Sequence, residues 1–287
     1  MKIACIFDNR IRRDTTGNFF LWALERLGHE VEHILPDQAL AIEAPSHDFY
    51  LKIDDGLKNH WRWNDVLRPA AYYVIDTHYW DAAEWRPKTG RQFNWCFTAQ
   101  KDGVDFMAEH GVDQTSWLPL AADEDLHSPY INGHDKWDWS FVGNIGHDQP
   151  GIPNKRLNYL DKLLRKFDNG CLSDYSYFKE MANVYGLSKV VFNCHINNDI
   201  NMRFFEGLMS GSHLLTEKVV NNGVKELENW PDAPLENCFI EFTDDDLFFK
   251  MDKTIKSPSN GRAREVMLDG HTYQHRCRDI IKKMEEL

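Results

Sequence analysis

An arginine and a glutamate stand three residues apart inside an otherwise apolar helical pattern, and their types suit the binding of a nucleotide. The stretch is "NMRFFEGLMSG", residues 201–211, in which Arg203 and Glu206 share one helical face while Met, Phe and Leu fill the others. A helix that is apolar around most of its circumference is buried on most sides, and a buried charge must be paired or used. Two interpretations stay open. The two residues form an ion pair along the helix, which contributes only about 0.3 kcal/mol, or they bind a ligand.

The position of this helix favours the ligand. It follows the predicted strand "KVVFNCH" through a polar turn, so its free N–H groups begin near Asn201 at the carboxyl end of that strand. Amides at a helix N-terminus form a site for phosphate or diphosphate. Arg203 would then complement the phosphate charge, while Glu206 would accept hydrogen bonds from ribose hydroxyls.

A glycine-containing turn, "FVGNIGHDQ", ends another predicted strand of the same half of the chain. Gly143, Asn144 and Gly146 would let the backbone approach a ligand closely, although the turn lacks the G-x-G-x-x-G pattern of dinucleotide-binding folds. Lys155 and Arg156 begin the next helix and would reach a diphosphate held there. The alternatives are an ordinary strand-to-helix turn and solvated charges.

An aspartate and a histidine follow a strand of the first half, in "YYVIDTHYWD". Asp76 and His78 are candidates for a general base that takes a proton from an acceptor hydroxyl, because histidine titrates near neutrality and burial raises the pKa of a carboxyl group. Which of the two would act stays open. The alternative is that Asp76 caps a turn and His78 packs as an aromatic ring.

The composition sets outer limits on the function. The chain has 287 residues, and 33 lysines and arginines against 45 aspartates and glutamates give a formal net charge of -12, which disfavours the binding of a polyanion. The six cysteines are scattered and indicate buried thiols in a reducing compartment. No apolar run approaches the ~20 residues of a membrane span. The sequence therefore predicts a cytoplasmic protein without a membrane span.

Strand and helix patterns alternate along both halves of the chain and predict two α/β units. The first half opens as β-α-β with "KIACIFD", "GNFFLWALERLGHE" and "VEHILP". A polar, turn-rich stretch from about Asp123 to Asp138 suits a linker, and the alternation then restarts. Short apolar strands between helices indicate parallel sheets, and two such units would bind ligands in a crevice beside the carboxyl ends of the strands.

Three stretches resemble the CgeB-like (spore maturation protein-like) family of GT-B glycosyltransferases. Along the chain they are "FTAQKDGVDFMAEHGVDQTSWLPLAADEDLHSP", "NMRFFEGLMSGSHLLTEK" and "GHTYQHRCRDII", in the order that the family has them. The resemblance implies a Rossmann-like acceptor domain at residues 1–125 and a Rossmann-like nucleotide-sugar domain at residues 126–265. It also implies a helix at residues 266–287 that crosses back to the first domain.

The resemblance also assigns roles to residues. Glu206 would bind the ribose and Arg203 the diphosphate of a nucleotide-diphosphate sugar, with a UDP-sugar as the expected co-substrate and no cofactor. Related retaining enzymes carry a second glutamate eight residues before the ribose-binding one. Asn198 stands there in this chain, so the stereochemical outcome stays open.

Two aspartate runs match the Asp-x-Asp spacing of metal-dependent glycosyltransferases, at residues 123–125 and 244–246. We interpret Asp244 to Asp246 as caps of the following helix, and we expect no metal. The sequence thus predicts a metal-independent transferase that moves a sugar to the hydroxyl group of a glycan or a small molecule. The alternatives are a phage-type enzyme acting on hydroxymethylated DNA bases and a non-catalytic nucleotide-sugar-binding module.

Overall fold

The computed structural model describes residues 1–10, 13–79, 81–128, 136–145, 154–174, 177–220, 222–258 and 261–287. By its internal contacts the chain divides into two compact units. The first unit consists of Met1–Leu120 together with Tyr273–Leu287, and the second of Ala121–Thr272. The final helix of the chain therefore belongs to the first unit.

The first unit is built on a six-stranded parallel sheet with the strand order β2-β1-β3-β4-β5-β6. Every residue of the two central strands β3 and β4 is buried, as expected for a parallel sheet packed between helices. The strands are β1 (Lys2–Ile6), β2 (Glu30–Ile34), β3 (Phe49–Ile53), β4 (Ala70–Val74), β5 (Trp95–Thr98) and β6 (Thr115–Trp117). The helices are α1 (Thr16–Arg26), α2 (Pro36–Ala39), a 3-10 helix (Lys58–Trp61), α3 (Ala82–Gly90), α4 (Gly103–Glu109) and the final helix α11 (Tyr273–Glu285).

The second unit is built on a five-stranded parallel sheet with the order β11-β10-β9-β7-β8. Its strands are β7 (Trp137–Val142), β8 (Gly170–Ser173), β9 (Ser188–Asn193), β10 (His213–Glu217) and β11 (Phe239–Phe242). Its helices are α5 (Lys155–Lys166), α6 (Lys179–Gly186), α7 (Met202–Met209), α8 (Val224–Glu228), α9 (Leu247–Ile255) and α10 (Gly261–Gly270). Two parallel sheets with helices confirm the predicted α/β class with two Rossmann-like units. No helix in the ranges listed above is long and apolar enough to cross a bilayer.

The "HTYQHR" stretch, residues 271–276, has a structural role. Tyr273 stacks on Phe19 with ring centroids 5.2 Å apart and meets Phe20 edge-on at 5.1 Å. Arg276 is fully buried, and its Nε donates to the carbonyl oxygen of Pro119 at 2.9 Å. Burial lowers the pKa of Arg276 to about 10, which still leaves the side chain charged at neutral pH. The stretch therefore anchors α11 within the first unit.

Replacing Arg276 by methionine is expected to lower the free energy of unfolding by about 1–3 kcal/mol, because buried carbonyl groups lose their donor. Urea denaturation followed by circular dichroism measures this change. Arg278→Met, at an exposed position of the same helix, is the control and should change stability little. Equal urea midpoints for the two variants would contradict the anchoring role.

Candidate functional site

Arg203 leaves α7 and reaches the carboxyl ends of two strands of the second unit. Its Nε donates to the carbonyl oxygen of Val142 at 2.9 Å, and its Nη1 donates to Oδ1 of Asn193 at 3.0 Å. The guanidinium group also lies 4.0 Å from the ring centroid of Phe141. Only 8% of Arg203 is exposed, and within the described ranges no carboxylate lies within the 4 Å of an ion pair. A buried cation is thus fixed by neutral groups at the end of a parallel sheet.

Glu206 points elsewhere. It is 4% exposed, and its Oε1 lies 3.6 Å from Nε2 of His127. The two charged residues of α7 are therefore both buried and do not form the intrahelical ion pair that the spacing also allowed.

Gly143 makes the position of Arg203 sterically allowed. Its φ is +142°, and a Cβ at this residue would overlap Nη2 of Arg203. Its amide donates to the carbonyl oxygen of Ser173 at 2.9 Å, which fixes the turn after β7. Glycine is required here by both the backbone angle and the side chain beside it.

We expect Gly143→Ala to displace Arg203 and to weaken the binding of a phosphate-containing ligand on the order of tenfold, as when one hydrogen bond to a charged group is lost. Gly28→Ala is the matched control, since Gly28 has a φ of +85° and nothing within 4 Å of the added Cβ. Each substitution should lower stability by about 1–3 kcal/mol through backbone strain. Melting temperature and calorimetric titration separate the two effects, and equal ligand affinities in the two variants would refute the steric role.

Arg156 fixes the same edge of the sheet from α5. Its Nη1 donates to the carbonyl oxygen of Asn144 at 2.6 Å, its Nη2 donates to that of Cys194 at 3.1 Å, and the guanidinium lies 5.5 Å from the ring centroid of Phe141. Two predicted arginines thus meet around one phenylalanine. Arg156 holds the turns after β7 and β9 together and adds positive charge beside Arg203.

The remaining predicted residues of this unit lie in the turns around α7. Asn201 is the N-cap of α7, and its Oδ1 accepts a hydrogen bond from the Phe204 amide at 3.3 Å. Asn198 has a φ of +64°, and its side chain binds both the amide and the carbonyl group of Val220, at 2.7 and 2.6 Å. Asn198 therefore ties the turn after β9 to the segment after β10. Gly146 lies outside the described residues.

The sequence did not predict a cluster centred on Glu217, at the end of β10. This buried carboxylate forms an ion pair with Lys155, accepts a hydrogen bond from Sγ of Cys194 at 3.3 Å and lies 3.5 Å from Nε2 of His195. Burial and the neighbouring Glu217 carboxylate together raise the pKa of the Cys194 thiol to about 12. The cluster holds Lys155 at the start of α5, where the sequence had placed a charge near the ligand. Asn193 was also missed, although a polar residue at the end of a buried strand is a signal that could have found it.

Asp76 and His78 lie in the turn after β4 of the first unit, and both are half-buried. Asp76 has a φ of +60°, a conformation that is uncommon outside glycine. Its charge acts on a buried ion pair in which Nε of Arg86 lies 2.9 Å from Oδ2 of Asp54. Burial raises the pKa of Asp54, Arg86 lowers it, and Asp76 raises it. The two candidates for the base therefore lie at the carboxyl end of a parallel strand, beside a buried ion pair.

The two aspartate runs have local structural roles. Oδ1 of Asp123 accepts hydrogen bonds from the Asp125 and Leu126 amides, and Asp244 accepts one from the Tyr159 hydroxyl. Asp246 stands at the N-cap position of α9, but the predicted capping bond is wrong: its carboxylate accepts from the Thr243 amide and pairs with Lys250. No group of three or more His, Cys, Asp or Glu side chains in the described part of the chain is arranged to hold a metal ion.

Part of this chain is similar to a known protein family. Residues 155–282 match the family model described as glycosyl transferase-like, a segment that contains Arg156, Arg203 and Glu206. The matching segment is a glycosyl transferase-like domain that begins at α5 of the second unit and ends within α11 of the first. A search of curated proteins finds no match to the chain.

Solved glycosyltransferases share the fold of this chain. An alpha-glucosyltransferase, solved with UDP-glucose and DNA containing an abasic site, matches with a TM-score of 0.67 and 11% identity, covering 99% of each chain. A glycosyltransferase involved in avilamycin A biosynthesis matches with a TM-score of 0.65 and 10% identity, covering 100% of this chain and 97% of the other. Sucrose-phosphate synthase from Thermosynechococcus elongatus matches with a TM-score of 0.64 and 9% identity, covering 99% and 98%. The predicted GT-B fold of the glycosyltransferase is confirmed.

Proposed function

We propose that the glycosyltransferase domain binds a nucleotide-diphosphate sugar, with a UDP-sugar as the donor, and that the enzyme transfers the sugar to an acceptor hydroxyl without a metal. The observation that carries the donor site is the environment of Arg203. A guanidinium that is buried among a carbonyl, an amide oxygen and an aromatic ring costs solvation energy. An anionic ligand would compensate this cost, and a diphosphate has the required charge and acceptor oxygens.

The neighbouring groups supply the rest of the donor site. The N-terminus of α7, which is capped by Asn201, lies at the same edge of the sheet as Arg203 and directs its first backbone amides there. The turn at Gly143 and Asn144 lies at this edge as well, with the Gly143 amide bonded to Ser173. Glu206, one turn further along α7, would accept hydrogen bonds from the ribose hydroxyls. In this proposal, Arg203 complements the charge of the phosphates and the Glu206 carboxylate binds the ribose of the nucleoside.

The proposed chemistry depends on stabilising the leaving diphosphate. Arg203 and the α7 amides would neutralise the negative charge that develops as the glycosidic bond to phosphate breaks. In the first unit, Asp76 or His78 would take the proton of the acceptor hydroxyl. Asn198 stands where related retaining enzymes carry a second glutamate.

We propose, from the three resembling stretches, that the enzyme belongs to the CgeB-like branch of this fold. Arg276 and Tyr273 of the "HTYQHR" stretch have clear structural roles, which accounts for one of those stretches. None of the six cysteines forms a disulfide, and five of them are buried, which suits a reducing cytoplasm.

The acceptor is proposed to be a glycan or a small molecule. Hydroxymethylated DNA is a second candidate, supported by the similar fold of the alpha-glucosyltransferase solved with DNA and opposed by the net charge of -12. A gel-shift assay with a duplex containing hydroxymethylcytosine separates the two. A non-catalytic binding module would bind a donor tightly and transfer nothing across a broad acceptor panel.

A thermal-shift panel tests the donor assignment. UDP-, GDP-, CDP- and ADP-sugars are added with and without EDTA. A ligand that binds only the native state stabilises it by about 2.7 kcal/mol at 100 times its Kd, and the melting temperature rises as a result. We expect UDP-sugars to stabilise the protein equally in both conditions. Loss of the shift in EDTA would refute metal independence, and the absence of any shift would refute the donor site.

A further inference from the structure

His127 is a buried histidine of the second unit that none of the proposed roles uses. It lies in a turn that is fixed by hydrogen bonds to main-chain atoms. Its amide donates to the carbonyl oxygen of Asp123 at 3.0 Å, and Nη1 of Arg264 donates both to its carbonyl oxygen at 3.1 Å and to that of Met209 at 2.7 Å. Arg264 thus ties the turn to the last residue of α7. The imidazole of His127 therefore has a defined place relative to the helix that carries Glu206.

The imidazole faces Glu206 on one side and the main chain on the other. Its Nε2 lies 3.6 Å from Oε1 of Glu206, and its Nδ1 lies 3.2 Å from the amide nitrogen and 3.1 Å from the carbonyl oxygen of Asp123. Burial lowers the pKa of His127 to about 4, so the ring is neutral at physiological pH. A neutral ring has one N–H group and one lone pair.

The charge of Glu206 selects between the two tautomers. When the Asp123 amide donates to Nδ1, the proton lies on Nε2 and is directed at the carboxylate. In the other tautomer the lone pair of Nε2 faces the carboxylate, which is unfavourable. The first arrangement satisfies the turn and directs an N–H dipole at one oxygen of Glu206. The distance of 3.6 Å is too long for a hydrogen bond, but the electrostatic attraction is strong in a buried environment.

We infer that His127 is a positioning residue for Glu206, and that it sets how firmly the site distinguishes a ribonucleotide from a 2′-deoxyribonucleotide. The inference rests on the proposed function, because it needs Glu206 to bind ribose. With Oε1 held by His127, the other oxygen of Glu206 keeps a fixed orientation toward the ribose hydroxyls. A carboxylate that rotates freely would gain less from the 2′-hydroxyl, since ordering it on binding costs side-chain entropy.

The test compares the affinities of UDP and 2′-deoxy-UDP by calorimetric titration. The wild type should bind UDP on the order of tenfold more tightly, the value of one hydrogen bond to a charged group. His127→Phe keeps the ring shape without the N–H group, and this preference should fall to about threefold or less. His127→Gln returns an N–H donor and should restore part of the preference, which a merely structural role would not do.

His271→Phe is the matched control. His271 is also fully buried in the second unit, and its Nε2 contacts the carbonyl oxygen of Ala233 at 2.7 Å. Its replacement loosens the same unit through the loss of the contact with Ala233, so the preference for UDP should be unchanged. Melting temperatures of the unliganded variants confirm that each one folds.

The outcomes separate the two claims. Failure of the wild type to bind either nucleotide would overturn the proposed function and the inference with it. A wild-type preference that His127→Phe keeps in full, or equal weakening of both nucleotides, would overturn the role of His127 alone. A preference lost in His127→Phe, regained in His127→Gln and kept in His271→Phe would establish it.

Discussion

Replacement of Glu206 by alanine is expected to weaken the binding of the nucleotide-sugar donor by about 10- to 100-fold, because a hydrogen bond to a charged group contributes about 1.5–3 kcal/mol. Glu206→Gln should retain part of the affinity, since the amide keeps one acceptor oxygen. The loss of affinity should come from the contacts to the ribose and not from those to the diphosphate. Calorimetric titrations with UDP-glucose and with inorganic diphosphate measure this loss. The alanine variant should bind UDP-glucose more weakly and inorganic diphosphate with unchanged affinity.

Glu180→Ala serves as the control for Glu206→Ala. Glu180 is an exposed glutamate at the start of α6 in the same unit, so its removal changes the net charge equally without altering the candidate site. UDP-glucose affinity within twofold of the wild type in Glu206→Ala would exclude the ribose-binding role. Since Glu206 is buried beside His127, the melting temperature of each variant is measured in parallel.

Replacement of Arg203 by lysine is expected to lower kcat by about 100- to 1,000-fold, the usual effect of removing one group that stabilises a developing negative charge. The guanidinium holds the Val142 carbonyl through Nε and Asn193 through Nη1 while it stacks on Phe141. A lysine ammonium lacks this planar fork and cannot make the three contacts together. The charge is therefore retained in the variant but is no longer positioned.

The measurement for Arg203→Lys is the rate of UDP release from UDP-glucose, with Arg165→Lys as the control. Arg165 lies on α5 with an exposed side chain and an i,i+4 ion pair to Asp161, so its replacement should be silent. Arg203→Met completes the series by removing the charge. Equal rates for the wild type and Arg203→Lys would rule out a precisely positioned contact between Arg203 and the diphosphate. Equal rates for the wild type, Arg203→Lys and Arg203→Met would rule out any contact between them.

The alternation of apolar strands and helices was readable because buried parallel strands are continuous apolar runs. "AYYVID" and "KVVFNCH" predicted β4 and β9 for this reason. The prediction missed β8, a half-buried edge strand of four residues, and α3, which has Pro87 inside it and no clear apolar face. Both depend on contacts with the rest of the unit more than on a local pattern.

The candidate site was partly readable for a similar reason. The helical period alone indicated that Arg203 and Glu206 share a face, and glycine at position 143 marked a close approach. The period could not decide between an ion pair and ligand binding, because the answer depends on Val142, Asn193 and His127, which come from other parts of the chain. Tertiary contacts of this kind leave no periodic signal in a single sequence.

Hydrogen–deuterium exchange with and without saturating UDP-glucose tests the central claim most directly, because it locates the donor on the chain. The first amides of a helix have no intrahelical partner, so a bound diphosphate should slow exchange at residues 201–206 and in the turn at residues 142–144. Protection of these two segments is the predicted result. Protection that appears only elsewhere, with unchanged exchange at the start of α7, would contradict the assignment of the donor site to Arg203 and Glu206.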